Sequence, residues 1–513
     1  LPDAESHGTG RRKRNLLMES EDMTIHLHTL LRTIFTIVCL IFLIPEGHAH
    51  SGKARFHAII DTDGAADDLR TLCMLLGNRE VEVLAITTSE GALLPDSAAV
   101  RVRALLDSFY HEGVPVGAGR AVNAPAPVWR THSRQVEWGD PSSGSAALPL
   151  AQTLIGETLE NEEEKVFFIA LGALTNLSDV LQANPALGGR IERVVWYNTR
   201  VEPLAGANYE TDREAASRVL ASGIPVTVVS ANPDCPVVVT PALLDSAAAV
   251  PTVYARKIAD THRAAPLAKL VDAGHLQAWD DLAAVRLFAP ELFATRKISE
   301  TVEVCSLSDQ VAAAQIPEEI LRILRGKHDS ESRVFYGFPV QHELYAADVV
   351  PMVDETIARY GPSEWRAGVL TNELHGHLGI YATIGVKMGI RAREYFNIGV
   401  DDIEVTTYAG HNPPISCMND GLQVGTGASV GHGLITVAEN DPPRPEARFS
   451  FKGKTIRLAL KPEYARRIRR DVEKGIELYG NLTEPYWLYV RGLGLQYWLE
   501  FDRHGIFDMY AGE

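Results

Sequence analysis

An apolar run leads directly into an acidic turn in the segment His57-Ala58-Ile59-Ile60-Asp61-Thr62-Asp63-Gly64-Ala65-Ala66-Asp67-Asp68. The apolar run predicts a buried strand, and the residues from Leu69 to Leu76 carry a helical periodicity. The implied order is therefore a strand, an acidic turn and a helix.

Four carboxylates crowd this turn, those of Asp61, Asp63, Asp67 and Asp68. Because like charges repel, and because an unpaired buried carboxylate is costly or shifts its pKa, the turn calls for a divalent cation. Hard oxygen ligands suit Ca²⁺ or Mg²⁺ rather than zinc. A solvated helix start would explain Asp67 and Asp68, since Asp favours the first turn, but it leaves the two strand-end residues unexplained. We therefore favour a metal or ribose site here.

The composition bounds the class of protein. A chain of 513 residues predicts two or more domains, and a hydrophobic content of 46% supplies sizeable cores. The net charge of −17 argues against a general nucleic-acid binder, whose surface would be basic, and it suits a protein that binds cations. Outside the N-terminal segment the cysteines are too sparse for a disulfide scaffold.

The N-terminal segment has the layout of a secretory signal. Its apolar run, residues 29–44, is shorter than the roughly 20 residues that span a membrane, and small residues around Ala49 follow it. We interpret residues 23–50 as a signal peptide and residues 1–22 as a disordered or over-long start. The protein is then expected to be exported and periplasmic. The alternative is a membrane anchor formed by an uncleaved N-terminal segment.

Strand-like and helix-like segments alternate after residue 55. The strand-like runs are Val81 to Thr88, Lys165 to Ala170, Val194 to Tyr197 and Val226 to Ser230. The helix-like runs are Asp96 to Phe109, Ala147 to Glu160, Leu174 to Leu181 and Arg213 to Leu220. This rhythm predicts an α/β fold, a mostly parallel Rossmann-like open sheet with flanking helices.

We place the domain boundary near residue 330. The first domain is expected over 55–330, a linker helix over 331–364 and a smaller C-terminal α+β domain over 365–513. Within the linker, Ala346 to Tyr360 has the pattern of an amphipathic helix.

Four motifs in order resemble those of the nucleoside hydrolases of the inosine/uridine-preferring type, which cleave the N-glycosidic bond of ribonucleosides with a bound Ca²⁺. They are Asp61-Thr62-Asp63-x-x-x-Asp67-Asp68, Ala170-Leu171-Gly172-Ala173-Leu174-Thr175-Asn176-Leu177, Asn208 with Thr211-Asp212-Arg213-Glu214-Ala215-Ala216, and Trp279-Asp280-Asp281-Leu282-Ala283-Ala284. The resemblance implies that Asp63, Asp68, the backbone carbonyl of Leu171 and Asp280 hold Ca²⁺. It also implies that Asp63 is the catalytic base that takes a proton from water.

The same resemblance assigns the substrate side of the pocket. Asp67 and Asn208 would hold ribose hydroxyls. Trp279 stands where the family often has a His that protonates the leaving base, and its ring could stack on that base. Further departures are Gly64-Ala65, where Pro-Gly is usual, Ala92, in place of a usual Asn, and the segment 200–207, where an acid and a further Asn are usual. The metal end of the pocket is kept, whereas the ribose and base ends are altered.

The C-terminal part carries a second resemblance. Leu374-His375-Gly376-His377-Leu378-Gly379 and the segment 417–427 resemble the FmdE-like family, which is named after formylmethanofuran dehydrogenase and whose α+β core has a His/Cys metal site. His375, His377 and Cys417 are then a candidate Zn²⁺ set. The departures here are Ala428, where a second Cys is usual, and His432, where a Lys is usual. The simpler alternative is that the two histidines only cap or hydrogen-bond at a helix start.

Three functional hypotheses remain open from the sequence. The first is an exported Ca²⁺-dependent hydrolase of ribonucleosides or related N-ribosyl compounds. The second is a non-catalytic nucleoside- or sugar-binding protein. The third is a metal or redox activity of the C-terminal domain, for which the first domain supplies the substrate. In each case the expected partner is a small molecule and not a nucleic acid, and we also allow for a homo-oligomer.

Overall fold

The strand β1 (Phe56–Thr62) is buried along its whole length and lies inside a large sheet. Its side chains alternate between two cores, since Ala58 and Ile60 join one apolar cluster and Ile59 joins the other. Successive side chains of a strand point to opposite faces, so a continuous apolar run serves a sheet that is covered on both sides.

The computed structural model describes residues 54–140, 148–326, 334–335, 337–439 and 442–512. The predicted signal peptide, residues 23–50, and the preceding residues 1–22 lie outside the described residues. Among the described residues, no helix combines the length and apolar character that a membrane crossing needs.

The first sheet has eight strands in the order β3-β2-β1-β4-β5-β8-β10-β9, all parallel to their neighbours except β9, which runs antiparallel to β10. The strands after β1 are β2 (Val81–Thr88), β3 (Val116–Ala118), β4 (Val166–Ala170), β5 (Ile191–Tyr197), the short pair β6 (Arg200–Val201) and β7 (Leu204–Ala205) outside this sheet, β8 (Val226–Ser230), β9 (Phe293–Lys297) and β10 (Val302–Leu307). The predicted α/β class with a mostly parallel open sheet is confirmed.

Helices flank this sheet on both faces. They are α1 (Ala66–Gly77), α2 (Pro95–Asp107), α3 (Arg130–Ser133), α4 (Ala151–Asn161), α5 (Thr175–Ala183), α6 (Ala207–Thr211), α7 (Arg213–Leu220), α8 (Pro241–Ala249), α9 (Val253–Arg263), α10 (Leu267–Asp272), α11 (Asp281–Phe288) and α12 (Gln310–Arg325). Because neighbouring parallel strands end at one edge of a sheet, the loops after β1, β2 and β4 meet there.

A second sheet with its own core lies in the C-terminal part, as predicted for a smaller α+β domain. Its strands, in the order β12-β11-β13-β14-β15, are β11 (Glu404–Thr407), β12 (Ile435–Val437), β13 (Glu446–Phe451), β14 (Lys454–Leu460) and β15 (Phe507–Ala511). Its helices are α13 (Val353–Tyr360), α14 (Pro362–His375), α15 (Ile380–Phe396), α16 (Met418–Thr426), α17 (Pro462–Tyr479) and α18 (Glu484–Glu500).

The amphipathic helix expected over Ala346 to Tyr360 begins later than predicted. A short 3₁₀ turn, Val350–Met352, precedes a regular helix that starts at Val353. Pro351 has no backbone N–H and disfavours the helical conformation of the residue before it, so it delays the helix. The linker boundaries near residue 330 stay a prediction, since residues 327–333 lie outside the described part.

Polar contacts join the C-terminal part to the first sheet and its helices. Arg391 donates to Glu112 Oε1 at 2.6 Å, and the buried ring of His111 donates from Nδ1 to the Glu394 carbonyl oxygen at 2.6 Å. The two sheets therefore belong to one packed unit.

Candidate active site at the ends of the parallel strands

The acidic turn after β1 is an ordered structure held by its own hydrogen bonds. Asp68 Oδ1 accepts from Thr62 Oγ1 at 2.7 Å and from the Asp63 backbone N–H at 2.9 Å. Asp67 and Asp68 lie in the first turn of α1, where the helix dipole favours negative charge. The turn thus directs carboxylates toward the carboxyl ends of the strands.

Three of the predicted site carboxylates converge in space, those of Asp67, Asp68 and Asp280. One oxygen of each lies within 4.8 Å of the others. Asp280 immediately precedes α11, which brings it to the start of α1 from more than 200 residues away in sequence. Its Oδ1 is buried and has no hydrogen-bond partner among the described residues.

The electrostatics of this group are unfavourable without a cation. Burial, and then repulsion between neighbouring carboxylates, raises the pKa of Asp68 and of Asp280 well above the ordinary value. An all-oxygen, largely buried and mutually repelling donor set with a free Asp280 oxygen fits a hard divalent ion such as Ca²⁺. The residues present therefore suit the predicted ion, and their role as ligands stays a prediction.

Asp63 lies beside this group, and the absence of a side chain at Gly91 and Gly172 leaves room for it. Burial is the main cause that raises the pKa of Asp63 to about 7, and the charge of Asp67 adds to the effect. A Cβ on Gly91 would lie 2.0 Å from Asp63 Oδ2, and a Cβ on Gly172 would lie 2.5 Å from Ser89 Oγ and 3.2 Å from Asp63 Cβ. The loops after β2 and β4 thus cradle the predicted catalytic base with their backbones.

Asp61 is not a member of the three-carboxylate group, and its hydrogen bonds go to neighbouring elements of the sheet layer. Its Oδ2 accepts from Thr87 Oγ1 at 2.7 Å and from Asn176 Nδ2 at 2.6 Å. Asn176, in the second motif, also donates to the Thr88 carbonyl oxygen at 3.0 Å. Asp61 therefore ties the first two motifs together at the strand ends.

Two further predicted residues contact each other. Asn208 Nδ2 donates to the Leu171 carbonyl oxygen at 2.7 Å and to the Tyr197 carbonyl oxygen at 3.1 Å. A carbonyl oxygen has two lone pairs, so Leu171 keeps one for another partner. The amide nitrogen of Asn208 is engaged with the backbone, and its contact with ribose stays a prediction.

Trp279 is partly buried against the core beneath the sheet. It also lines a cleft of about 260 Å³, between the segment that leads to Asp280 and the loop after β8. Asn232 and Gln277 are the side chains with an amide among those that line this cleft. The predicted stacking of Trp279 on a base is untested by this geometry.

In the C-terminal part, His375 and His377 lie side by side with ring centroids 4.4 Å apart. His375 Nδ1 donates to Asp420 Oδ2 at 2.7 Å, and its buried Nε2 has no partner among the described residues. A Cβ on Gly421 would lie 1.9 Å from the Ala382 carbonyl oxygen, so this glycine, next to Asp420, allows the close approach of α16 and α15. Cys417 precedes α16 and is not part of a converging group of metal-type ligands among the described residues.

Sequence reasoning missed Glu90 and Arg130, two buried residues that anchor the loop of Gly91. Glu90 Oε2 accepts from the backbone N–H groups of Val122 and Asn123, and Arg130 Nη2 donates to the Gly91 carbonyl oxygen at 2.7 Å. A charged residue two positions after the predicted strand Val81 to Thr88 was the available signal, because a buried Glu requires partners. Arg70, a lone cation inside the apolar stretch of α1, was missed in the same way.

The comparison with known families agrees with this geometry. Residues 58–340, more than half of the chain, match the model of the inosine-uridine preferring nucleoside hydrolases. The chain belongs to this family. Residues 374–482 match a second family model, described as FmdE, molybdenum formylmethanofuran dehydrogenase operon. Both resemblances proposed from the sequence are confirmed.

Curated relatives match part of this region. The chain is similar to the pyrimidine-specific ribonucleoside hydrolase RihA of Klebsiella pneumoniae, 28% identical over 189 residues, with 33% of this chain and 58% of the relative covered. It is 31% identical over 186 residues to the RihA of Salmonella schwarzengrund, with 33% and 58% covered. The matched part thus spans about three fifths of the length of these relatives.

Solved structures of nucleoside hydrolases also match. A plant nucleoside hydrolase, PpNRh1, is 20% identical with a TM-score of 0.44, and the match covers 52% of this chain and 99% of that chain. The inosine-uridine preferring nucleoside hydrolase of Bacillus anthracis is 21% identical with a TM-score of 0.44, and the match covers 53% and 99%.

Proposed function

We propose that residues 58–340 form a Ca²⁺-dependent hydrolase of the N-glycosidic bond of ribonucleosides or related N-ribosyl compounds. The observation that carries the proposal is the group formed by the partly buried Asp67 and the buried Asp68 and Asp280, with the unpaired Asp280 oxygen, in a chain of the nucleoside hydrolase family. A structural role alone would not explain why mutually repelling carboxylates converge out of water.

Asp63, Asp68, Asp280 and the Leu171 carbonyl would hold the ion. When bound, Ca²⁺ supplies charge that lowers the pKa of a water molecule and orients ribose hydroxyls. Asp63, cradled by Gly91 and by the loop after β4, is the group that takes the proton from the attacking water.

The same carboxylates would also stabilise the ribose during the reaction. As the base departs, positive charge develops on the ribose ring, and a fixed wall of negative charge stabilises it without reorganisation. Asp67, which is more exposed than Asp68 and Asp280, is the carboxylate we assign to accept from a ribose hydroxyl. Asn208 would contribute through its side-chain oxygen, since its nitrogen donates to two carbonyls.

The leaving base would contact Trp279 where the family often has a His. Trp279 can stack on a base but cannot donate the proton that a charged His would. We therefore propose that the preferred substrates are those whose leaving group departs with little help from an acid. Pyrimidine nucleosides, the substrates named for the RihA relatives, are the natural members to include in a first screen.

A screen of nucleosides and activated ribosides with added Ca²⁺ tests this function. Release of free base or of the activated leaving group by the purified full chain supports the hydrolase. Ca²⁺-dependent binding without release supports the alternative, a nucleoside- or sugar-binding protein, which the departures Ala92, Gly206 and Trp279 favour. Wild-type protein that neither binds Ca²⁺ nor releases product overturns the proposal.

A second function belongs to the C-terminal part. We propose that it binds a metal ion, with Zn²⁺ as the first candidate, through His375 and His377. The unpaired and buried His375 Nε2, oriented by the Nδ1 bond to Asp420, supports this proposal because metal-bound histidines commonly donate their other N–H to a carboxylate. Metal analysis of the full chain and of His375→Ala tests it, and equal zinc content in both would contradict it.

Export remains a proposal that rests on residues 23–50. N-terminal sequencing of the protein recovered from its native host distinguishes cleavage near Ala49 from an uncleaved anchor. The assembly into a homo-oligomer is also still a prediction, and light scattering of the purified chain tests it.

A further inference from the structure

A buried ion pair lies directly beneath the carboxylate group. Arg70, on α1, donates from Nε to Asp281 Oδ1 at 2.8 Å and from Nη2 to Asp281 Oδ2, which makes the contact bidentate. The side chains are 2% and 0% exposed. The partners are 211 residues apart in sequence, and each lies on a helix whose start supplies predicted metal ligands.

The remaining donors of Arg70 reach the segment that carries Asp280. Its Nη2 also donates to the Gln277 carbonyl oxygen at 3.0 Å, so this guanidinium grips the chain on both sides of Asp280. Its Nη1 lies 3.0 Å from His262 Nε2, and His262 Nδ1 donates to the Ile258 carbonyl oxygen at 2.8 Å. Because the proton of the neutral ring is on Nδ1, Nε2 accepts from Arg70 and every donor direction is fixed.

The pairing of Arg70 with Asp281 fixes the distance between the carboxylates at the start of α1 and the carboxylate at the start of α11. Asp67 and Asp68 are one turn or less from Arg70 on α1, while Asp280 is the neighbour of Asp281 at the start of α11. Those three carboxylates repel one another, so without a clamp the two helix starts would be pushed apart. A planar guanidinium that binds a carboxylate through two parallel bonds resists that displacement better than a point charge does.

We propose that Arg70 and Asp281 are positioning residues that hold Asp280 opposite Asp67 and Asp68 and so keep the site in its cation-binding geometry. This inference rests on the proposed function, since it takes Ca²⁺ as the ion. It assigns to the pair a task beyond the folding of the core, and it does not place either residue in contact with substrate.

The direction in which the Ca²⁺ affinity of Arg70→Met changes distinguishes a positioning role from a purely electrostatic one. Arg70 is a cation next to a cation site, so if charge alone mattered, Arg70→Met would leave Asp281 unpaired and Ca²⁺ would bind more tightly. If Arg70 positions Asp280, the same variant binds Ca²⁺ more weakly. We expect a fall of about tenfold to a hundredfold, the usual effect of losing a residue that orients a ligand.

The experiment is Ca²⁺ titration by calorimetry on full-length wild-type protein, Arg70→Met, Arg70→Lys and the double variant Arg70→Met with Asp281→Leu. Arg70→Lys keeps the charge and loses the fork, so it should also bind weakly. Its hydrolysis of a nucleoside should recover as the Ca²⁺ concentration is raised, which a merely structural defect would not do. The double variant has no unpaired buried charge, so it should fold at least as stably as Arg70→Met and still bind Ca²⁺ weakly.

The control is Arg193→Met, which removes another arginine–carboxylate pair, with Glu303, at the opposite end of the same sheet. Its Ca²⁺ affinity should equal that of wild type. Wild-type or tighter affinity in the folded double variant or in Arg70→Lys would overturn the positioning role while the hydrolase proposal stands. A wild-type protein that binds no Ca²⁺ would overturn both.

Discussion

Lys452 Nζ, in the turn between β13 and β14, lies 2.7 Å from Glu162 Oε2 at the end of α4. The same ammonium also lies 2.5 Å from Glu82 Oε1, and His57 Nδ1 lies 3.4 Å from Glu162 Oε1. His57, Glu82 and Glu162 have the geometry of a metal-ligand group, and Lys452 supplies its positive charge. Lys452, from the C-terminal family region, thus completes a polar group whose other members come from the first sheet and its helices.

Replacement of this lysine should destabilise the whole unit. Burial would raise the pKa of Glu162, but the contacts with His57 and Lys452 outweigh it and lower that pKa to about 2. Lys452→Met should cost about 1–2 kcal/mol of unfolding free energy, a value reduced from that of a fully buried pair because the lysine is 38% exposed. Chemical denaturation measures it. Lys165→Met, which removes an exposed pair with Glu192, is the control, and equal losses in both would contradict the prediction.

Gly91→Ala should impair the active site more than the fold. The new Cβ would lie 2.0 Å from Asp63 Oδ2, so the carboxylate or the loop must move. We expect kcat to fall by about a hundredfold, the order of magnitude that a displaced catalytic group costs. Steady-state kinetics of nucleoside hydrolysis checks this. Gly189→Ala is the matched control, because its Cβ would meet nothing within 4 Å.

Asp68→Asn should have opposite effects with and without the ion. Without Ca²⁺ the melting temperature should rise, since one of three repelling carboxylates loses its charge. With Ca²⁺ the stabilisation seen in wild type should nearly vanish, because ligand-induced stability depends on affinity, and we expect that affinity to fall by at least about a hundredfold. Thermal melts across a Ca²⁺ series measure both effects, with the exposed Asp272→Asn as control. An unchanged Ca²⁺ response would remove Asp68 from the ligand set.

His111 should make the stability depend on pH in a definite direction. Burial is the main cause that lowers the pKa of His111 from 6.5 to about 4. The unfolded chain therefore binds a proton on this residue at a higher pH than the folded chain does. Its contribution is complete above about pH 6.5 and is lost as the pH falls toward 4, by up to about 3 kcal/mol. The difference in unfolding free energy between wild type and His111→Gln, measured from pH 7 to pH 4 at about half-unit steps, should shrink as the pH falls. A constant difference would show that His111 does not titrate in this range.

The rates on substrates with different leaving groups should show that Trp279 cannot donate a proton to the leaving base. Help from a general acid is worth about 10²- to 10⁴-fold, so p-nitrophenyl riboside should react faster than inosine or adenosine by a factor of that order. Trp279→His should raise the rate on inosine more than the rate on the activated riboside. Parallel initial-rate assays provide the test. Equal rates on both substrates in wild type would mean that another acid serves the pocket.

Local sequence alone determined the fold class and the position of the acidic turn. Strand β2 and helix α7 have the predicted bounds, because a buried strand and a short amphipathic helix leave periodic patterns within a few residues. The acidic turn was equally legible, since Asp63 and Asp68 lie five residues apart and their crowding is visible without a structure. The start of α13 was missed because a proline overrode an otherwise helical pattern.

Only the tertiary structure decided the partners of the buried charges. The pairings of Arg70 with Asp281, of Lys452 with Glu162 and of His375 with Asp420 each join residues from different elements. A charged residue in an apolar stretch indicates that it has a buried partner. Which residue is that partner depends on how the helices and strands pack, and this packing leaves no periodic pattern in the sequence. The sequence thus determined where this protein concentrates its carboxylates, and the packing of α1 against α11 determined that three of them meet.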